Sequence, residues 1–258
     1  METSESSTGR GIVAAGDDGQ ALVSIVVPAF NEAARIGDSI QKIADFVSRS
    51  PIPFEVIVVD DGSIDETAAI VRRSQMKALR FLRNHQNHGK GYTVRQGVLA
   101  AAGTYVLFTD ADLSAPIEEV DKLLHVALNE GADVVIGSRK LHDSLIEKRQ
   151  SRFREFGAKL FNRMVRLLLG LALEDTQCGF KLFHRQRSRR IFEKQTTLGF
   201  GFDPELLFLA KRYGLKICET PVRWSHSEGS KVRFLHDGVR MFLDLVRIRW
   251  NAVRGRYS

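Results

Sequence analysis

The sequence predicts an α/β domain built on a mostly parallel sheet with helices on both faces. Short runs of β-branched and apolar residues recur through the first 140 positions, and segments of helical length and composition lie between them. The repeat is about 30 residues, the size of a strand–helix–strand unit. Unbroken apolar runs such as Val56–Val59 predict strands covered on both sides.

Taken in order, the first strand is expected at Leu22–Val27, followed by a helix over Glu32–Val47 that Asn31 can cap. Phe54–Val59 reads as the second strand. Ser63 and Glu66 then have capping-box spacing in front of a helix over Asp65–Arg73. Leu79–Leu82, Thr93–Ala102 and Tyr105–Thr109 continue the alternation as strand, helix and strand. Pro116 stands where a first helical turn tolerates proline, with Glu118 and Glu119 placed to favour the helix dipole, and Asp133–Ile136 is the fifth strand.

Beyond Arg139 the texture changes. Residues 147–173 mix basic and large apolar side chains, and Arg152, Lys159, Arg163 and Arg166 share one helical face. Near the end, Arg233, Arg240, Arg247 and Arg254 recur every seventh residue beside an apolar stripe of Val239, Phe242, Val246 and Trp250. Two such helices in one basic chain are expected to lie on a core or on an anionic membrane surface. The organisation expected is a polar, disordered leader over 1–20, a catalytic domain over 21–233 with 147–173 as its membrane-facing acceptor segment, and a basic amphipathic helix over 234–258. No signal-type run and no stretch of ~20 uncharged apolar residues is found, so peripheral attachment to the cytoplasmic face of a membrane is expected. Cys178 and Cys218 are too few for a disulfide scaffold or a cysteine-based zinc site.

The 38 basic and 31 acidic residues leave a net charge of +7, which favours an acidic partner. In an open parallel sheet ligands bind beyond the carboxyl ends of the strands. Asp60 and Asp61 follow the second strand, and Asp110 and Asp112 follow the fourth, so four carboxylates are expected on one rim. Two carboxylates one residue apart repel unless a cation joins them, and hard oxygen ligands suit Mg²⁺ or Mn²⁺ held together with substrate phosphates. The same four acids would repel a phosphate backbone, which argues against nucleic acid as partner. Gly89-Lys90-Gly91 lacks the Walker spacing, and His85 and His88 read as a polar loop.

Several stretches resemble the inverting family 2 glycosyltransferases of GT-A fold: Val23 to Glu32 (VSIVVPAFNE), Val58 to Ser63 (VVDDGS), Asp110-Ala111-Asp112 and Gly137-Ser138-Arg139. Asp175 to Phe183 (DTQCGFKLF) and Trp224 to Lys231 (WSHSEGSK) are narrower, and similar to dolichyl-phosphate β-glucosyltransferases, with the corresponding mannosyltransferases as the alternative. The resemblance implies that Pro28, Phe30, Glu32, Val59 and Asp61 surround the base and ribose of a nucleotide-sugar. Asp110, Ala111 and Asp112 would meet ribose, diphosphate and metal, with Asp112 the principal ligand. Arg139 and Lys231 would hold phosphates. Arg154, 21 residues before Asp175, would bind the phosphate of a dolichyl or other polyprenyl acceptor. Phe30 departs from the family's usual tyrosine, and Ser114 from the glutamine of some mannosyltransferases. The activity implied is transfer of glucose from UDP-glucose, or of mannose from GDP-mannose, to a lipid phosphate.

Overall fold

The structure, a computed structural model, describes residues 22–148, 152–226 and 234–258, without the side chains of 147–148, 152–156 and 234–237. The leader and Lys231 lie outside the described residues, as does the side chain of Arg154.

Seven strands form one sheet in the order β3-β2-β1-β4-β7-β5-β8. They are β1 Val23–Ala29, β2 Phe54–Asp60, β3 Leu79–Arg83, β4 Tyr105–Thr109, β5 Val134–Ser138, β7 Phe180–His184 and β8 Ile217–Pro221. All neighbours run parallel except at β7, which is antiparallel to both β4 and β5. The expected mostly parallel sheet is therefore present, with one reversed strand that the apolar runs do not reveal. A small second sheet pairs β6 (Ile146–Lys148) with β9 (Trp224–Ser225).

The helices are α1 Ile36–Arg49, α2 Thr67–Arg73, α3 Lys90–Ala100, α4 Val120–Glu130, α5 Arg152–Leu169, α6 Arg185–Lys194, α7 Phe202–Arg212 and α8 Phe234–Val253. Alternate strand residues feed two apolar clusters, one on each face. Ile25, Val27, Val56 and Leu107 meet α1 and α4, while Val26, Ile57, Val59 and Phe108 meet α3, α7 and α8. The strands read as continuous apolar runs because both their faces are covered.

Two expected helix caps take other roles. α1 begins at Ile36, not Glu32, and Asn31 sits at φ 51 with its Oδ1 accepting the N–H of Ile64. Ser63 accepts the Asn31 N–H and donates to Asp60. Asn31 and Ser63 thus tie the β1–α1 loop to the β2–α2 loop, and Asp65 accepts the Thr67 N–H at the start of α2. α3 begins at Lys90, three residues before the expected Thr93, and Pro116 leads into a 3-10 turn over Ile117–Glu119.

Candidate active site

The carboxyl ends of β1, β2 and β4 open onto one rim, closed by the amino end of α3. Asp61 leaves β2 almost fully buried, and its side chain shapes this rim. Its Oδ1 accepts from Asn84 Nδ2 at 2.8 Å and from the His88 N–H at 3.0 Å, and its Oδ2 accepts from the Gly89 N–H at 2.8 Å. Three charge-assisted bonds hold the 84–89 loop in place. Gly89 adopts φ 102, where a Cβ would lie 2.5 Å from the Leu198 carbonyl oxygen, so only glycine fits this turn into α3.

Lys90, the next residue, reaches back to the end of β4. Its Nζ lies 2.5 Å from Asp110 Oδ1 and 5.4 Å from the centroid of the Phe108 ring. Burial opposes the charge on Lys90, but Asp110, Asp203 and Asp112 together raise its pKa above the ordinary lysine value. On the other side of Asp110, a Cβ on Gly179 would fall 2.1 Å from Asp110 Oδ2. The glycine of the Cys178-Gly179 pair is therefore what makes room for this carboxylate. Asp112 projects further out. Its Oδ1 accepts the Ser114 N–H at 3.0 Å, and Arg35 Nη1 stands 3.8 Å from its Oδ2. Arg35 is also ion-paired with Glu32. The turn is closed by the Leu113 N–H donating to the Asp110 carbonyl at 3.0 Å, with Leu113 at φ 46, a conformation that costs a bulky residue on the order of 1–3 kcal/mol.

Beneath the rim lies a second buried pair. Lys181 of β7 is fully buried, 2.5 Å from Asp203 Oδ1, and also donates to the Cys178 carbonyl. Burial pushes the Asp203 carboxyl up, against the pull of Lys181 and Lys90. To one side, Arg139 at the end of β5 forms a fork with Asp175: Nε to Oδ2 at 2.6 Å, Nη2 to Oδ1 at 2.8 Å, and its own N–H to Oδ2 at 3.1 Å. The guanidinium also lies 5.4 Å from the centroid of the Trp224 ring. Burial alone would raise the Asp175 pKa, but Arg139 outweighs it and holds the carboxyl down at about 2. Burial likewise pushes the neighbouring Cys178 thiol up to about 12, so it is not a nucleophile at neutral pH.

Residues 24–192 match the family described as glycosyl transferase family 2. The chain belongs to that family. It is 33% identical over 246 residues to a dolichyl-phosphate β-glucosyltransferase of Dictyostelium discoideum, covering 90% of this chain and 75% of that protein. The human dolichyl-phosphate β-glucosyltransferase is 32% identical, with 91% and 77% covered. Among solved structures, glucosyl-3-phosphoglycerate synthase of Mycobacterium tuberculosis, crystallised with Mn²⁺, UDP-glucose and glycerol 3-phosphate, superposes with a TM-score of 0.67 at 24% identity, covering 89% of this chain and 80% of that one. The likeness to that structure establishes the fold, the GT-A arrangement expected from the motifs.

Within this family 2 glycosyltransferase the rim gathers most of the expected donor residues. Asp110, Ala111 and Asp112 stand together, and Ala111 is pinned by the Ser39 hydroxyl donating to its carbonyl at 2.6 Å. Pro28 is buried at the end of β1, Phe30 and Glu32 are half-buried beyond it, and Val59 turns its side chain into the core under α3. Val59 can therefore offer a ligand no more than main chain. Arg139 engages Asp175 through Nε and Nη2, so only the rest of its guanidinium can meet a phosphate. Motif reading does not single out Lys90, Arg35 and Asp203. None of the three has a local signal: Lys90 and Arg35 reach Asp110 and Asp112 only across the sheet, and the Asp203–Lys181 pair spans 22 residues.

Proposed function

We propose that this enzyme transfers glucose, with inversion, from UDP-glucose to the phosphate of dolichol or another polyprenol. The observation that carries the reading is the acidic pair at the end of β4, presented with cations on both sides, in a chain alike over most of its length to enzymes named for this reaction. Lipid phosphates are phosphomonoesters with a second pKa near 6, so the acceptor is largely dianionic at neutral pH and needs no general base. The tasks left to the protein are to stabilise the departing nucleoside diphosphate and to hold the acceptor in line.

A divalent ion, Mg²⁺ or Mn²⁺, fits the first task. Among the described residues no three His, Cys, Asp or Glu side chains form an all-protein cage, but Asp112 Oδ2 and Asp110 present hard oxygens on an open rim. One or two carboxylates completed by substrate phosphates is the usual arrangement for such an ion. It would supply Lewis-acid stabilisation of the leaving diphosphate. Asp112 would be the principal ligand. Lys90, Arg35 and the outer edge of Arg139 add positive charge around the same diphosphate. Lys231 for the donor phosphates and Arg154 for the acceptor phosphate are assigned from the motif resemblance.

The acceptor reading extends to a membrane. No described helix is long and apolar enough to cross one. α8 packs on the core through Leu245, Ile248 and Ala252, yet its opposite side exposes Val239, Leu243, Val246, Trp250 and Val253, repeating every three or four residues. Arg240, Arg247 and Arg254 flank that stripe in exposed positions. An apolar stripe edged by arginines suits an anionic bilayer surface, with the lipid phosphate at headgroup depth. The reading seats the enzyme peripherally on the cytoplasmic face, where its two free cysteines fit a reducing compartment. The catalytic domain then runs over 21–233, with 147–173 and the exposed stripe of α8 facing lipid; the expected helix over 234–258 ends at Val253, because Tyr257 turns back into the core onto Glu205.

A transfer assay tests this. The protein is incubated with a short polyprenyl phosphate in detergent, Mg²⁺ or Mn²⁺, and labelled UDP-glucose or GDP-mannose. Label should enter the lipid from UDP-glucose, and Asp112→Asn should lower that rate roughly a hundredfold or more with an unchanged circular dichroism spectrum. Label from GDP-mannose alone would refute the sugar. Metal-dependent hydrolysis without lipid product would refute the acceptor.

A further inference from the structure

Both carboxylates of the rim face a side-chain cation of the same chain. Lys90 Nζ lies 2.5 Å from Asp110 Oδ1, and Arg35 Nη1 lies 3.8 Å from Asp112 Oδ2. The closer of the two is held in place by its surroundings. Its neighbour Gly89 is bonded to Asp61 and backed against the Leu198 carbonyl, and the Tyr92 N–H donates to that carbonyl at 3.2 Å. Gly91, on the other side, is backed against Phe202, where a Cβ would lie 2.7 Å from the Phe202 Cβ. The ammonium lies 5.4 Å from the centroid of the Phe108 ring where it meets Asp110, whose other oxygen is packed on Gly179. Asp110 therefore meets an ammonium on one oxygen and packs against Gly179 with the other, while part of its side chain stays open to the rim.

A hard divalent ion needs a carboxylate oxygen at about 2.1 Å, and at that range it would share Asp110 with an ammonium already in contact with it. The repulsion between the two cations, on a half-buried site, opposes metal entry. A nucleoside diphosphate removes the conflict, because it supplies the ion with further oxygen ligands and gives the ammonium another anion to bind. We propose that Lys90 is a built-in counterion that keeps metal off the acidic pair until the nucleotide arrives, and then turns from Asp110 to the diphosphate. This rests on the donor reading given above. The acidic pair is then never left uncompensated, and metal and nucleotide bind as a coupled pair. By reciprocity, the factor by which UDP tightens Mn²⁺ equals the factor by which Mn²⁺ tightens UDP.

Calorimetric titration of the full chain with Mn²⁺ alone, UDP alone and the two together tests this without any turnover. Lys90→Gln removes the charge and keeps a polar stem. It should bind Mn²⁺ alone on the order of tenfold tighter than the wild type and lose most of the Mn²⁺–UDP coupling. Lys90→Arg, which keeps the charge, should behave as the wild type. Lys90→Met keeps an unbranched side chain without the charge and replaces the glutamine variant if that one fails to fold. Neutral variants that bind Mn²⁺ alone no more tightly than the wild type would overturn the counterion role. A wild type that binds UDP no better with Mn²⁺ than without would instead overturn the donor reading beneath it.

Discussion

Asp175→Asn is the substitution whose consequence can be worked furthest from the structure. The Asp175 carboxylate receives three hydrogen bonds from Arg139, two from the guanidinium and one from the main chain, and it is fully buried. An asparagine can accept on one atom only. It turns an amide donor toward the guanidinium and leaves a mostly buried cation uncompensated, a fault that costs up to about 3–5 kcal/mol. Part of that cost depends on pH, and its sign follows from the depressed pKa. Asp175 titrates at about 2 in the folded chain against 3.8 ordinarily. Its ionisation therefore adds stability that is complete above pH 5 and drains away as pH falls toward 2. The two values correspond to about 2–3 kcal/mol at neutral pH, of which about 1 kcal/mol is gone at pH 3. Urea unfolding of wild type and variant, followed by circular dichroism from pH 7 to pH 3, measures the difference directly, because carboxylates shared by both chains cancel. The gap should narrow by about 1 kcal/mol across that range. A gap that stays constant, or one that is below about 1 kcal/mol at pH 7, would refute the assignment of a strong buried pair.

Three further expectations follow from single contacts. Gly179→Ala places a methyl group 2.1 Å from Asp110 Oδ2, so the carboxylate must move; transfer should fall at least tenfold while the unfolding midpoint shifts little, and normal turnover would show that the position of Asp110 is not critical. Tyr257→Phe deletes the hydroxyl that donates at 2.6 Å to Glu205, a buried carboxylate that also receives the Thr196 and Thr197 N–H groups. Urea unfolding should show a loss of about 1–3 kcal/mol, and a variant as stable as the wild type would contradict it. Val246→Asp with Trp250→Asp changes two exposed positions of α8; co-sedimentation with phosphatidylserine-containing vesicles should be lost with helicity unchanged, and undiminished binding would place the membrane contact elsewhere.

The sequence made the parallel strands legible because burial on both faces leaves an apolar run with nothing to interrupt it. β7 escaped for the same reason in reverse. Phe180-Lys181-Leu182-Phe183-His184 carries a charge at its second residue, and only the arrival of Asp203 from α7 makes that lysine acceptable inside the sheet. Asn31 and Ser63, expected as helix caps, instead bond across two loops, a choice open to them because β1 and β2 are neighbours with ends in register, Ala29 beside Asp60. The apolar stripe of α8 was also visible, though periodicity alone does not say which of its two apolar sides meets the core.

Lys90 illustrates the limit most sharply. Judged by local spacing, Gly89-Lys90-Gly91 fails as a nucleotide loop, since the spacing test asks whether successive N–H groups can cradle a phosphate. Here the loop does something different. Its N–H groups are given to Asp61, and the lysine is aimed at a carboxylate on a strand that follows its own helix. That aim depends on the β2-β1-β4 order of the sheet, which sets the amino end of α3 beside the carboxyl end of β4. A cation one helix away in sequence becomes a contact partner only through that order. The same logic extends to Arg35, which reaches Asp112 from the start of α1. The acidic motif can be found by reading along the chain, whereas the cations that govern what it binds are found by reading across the sheet.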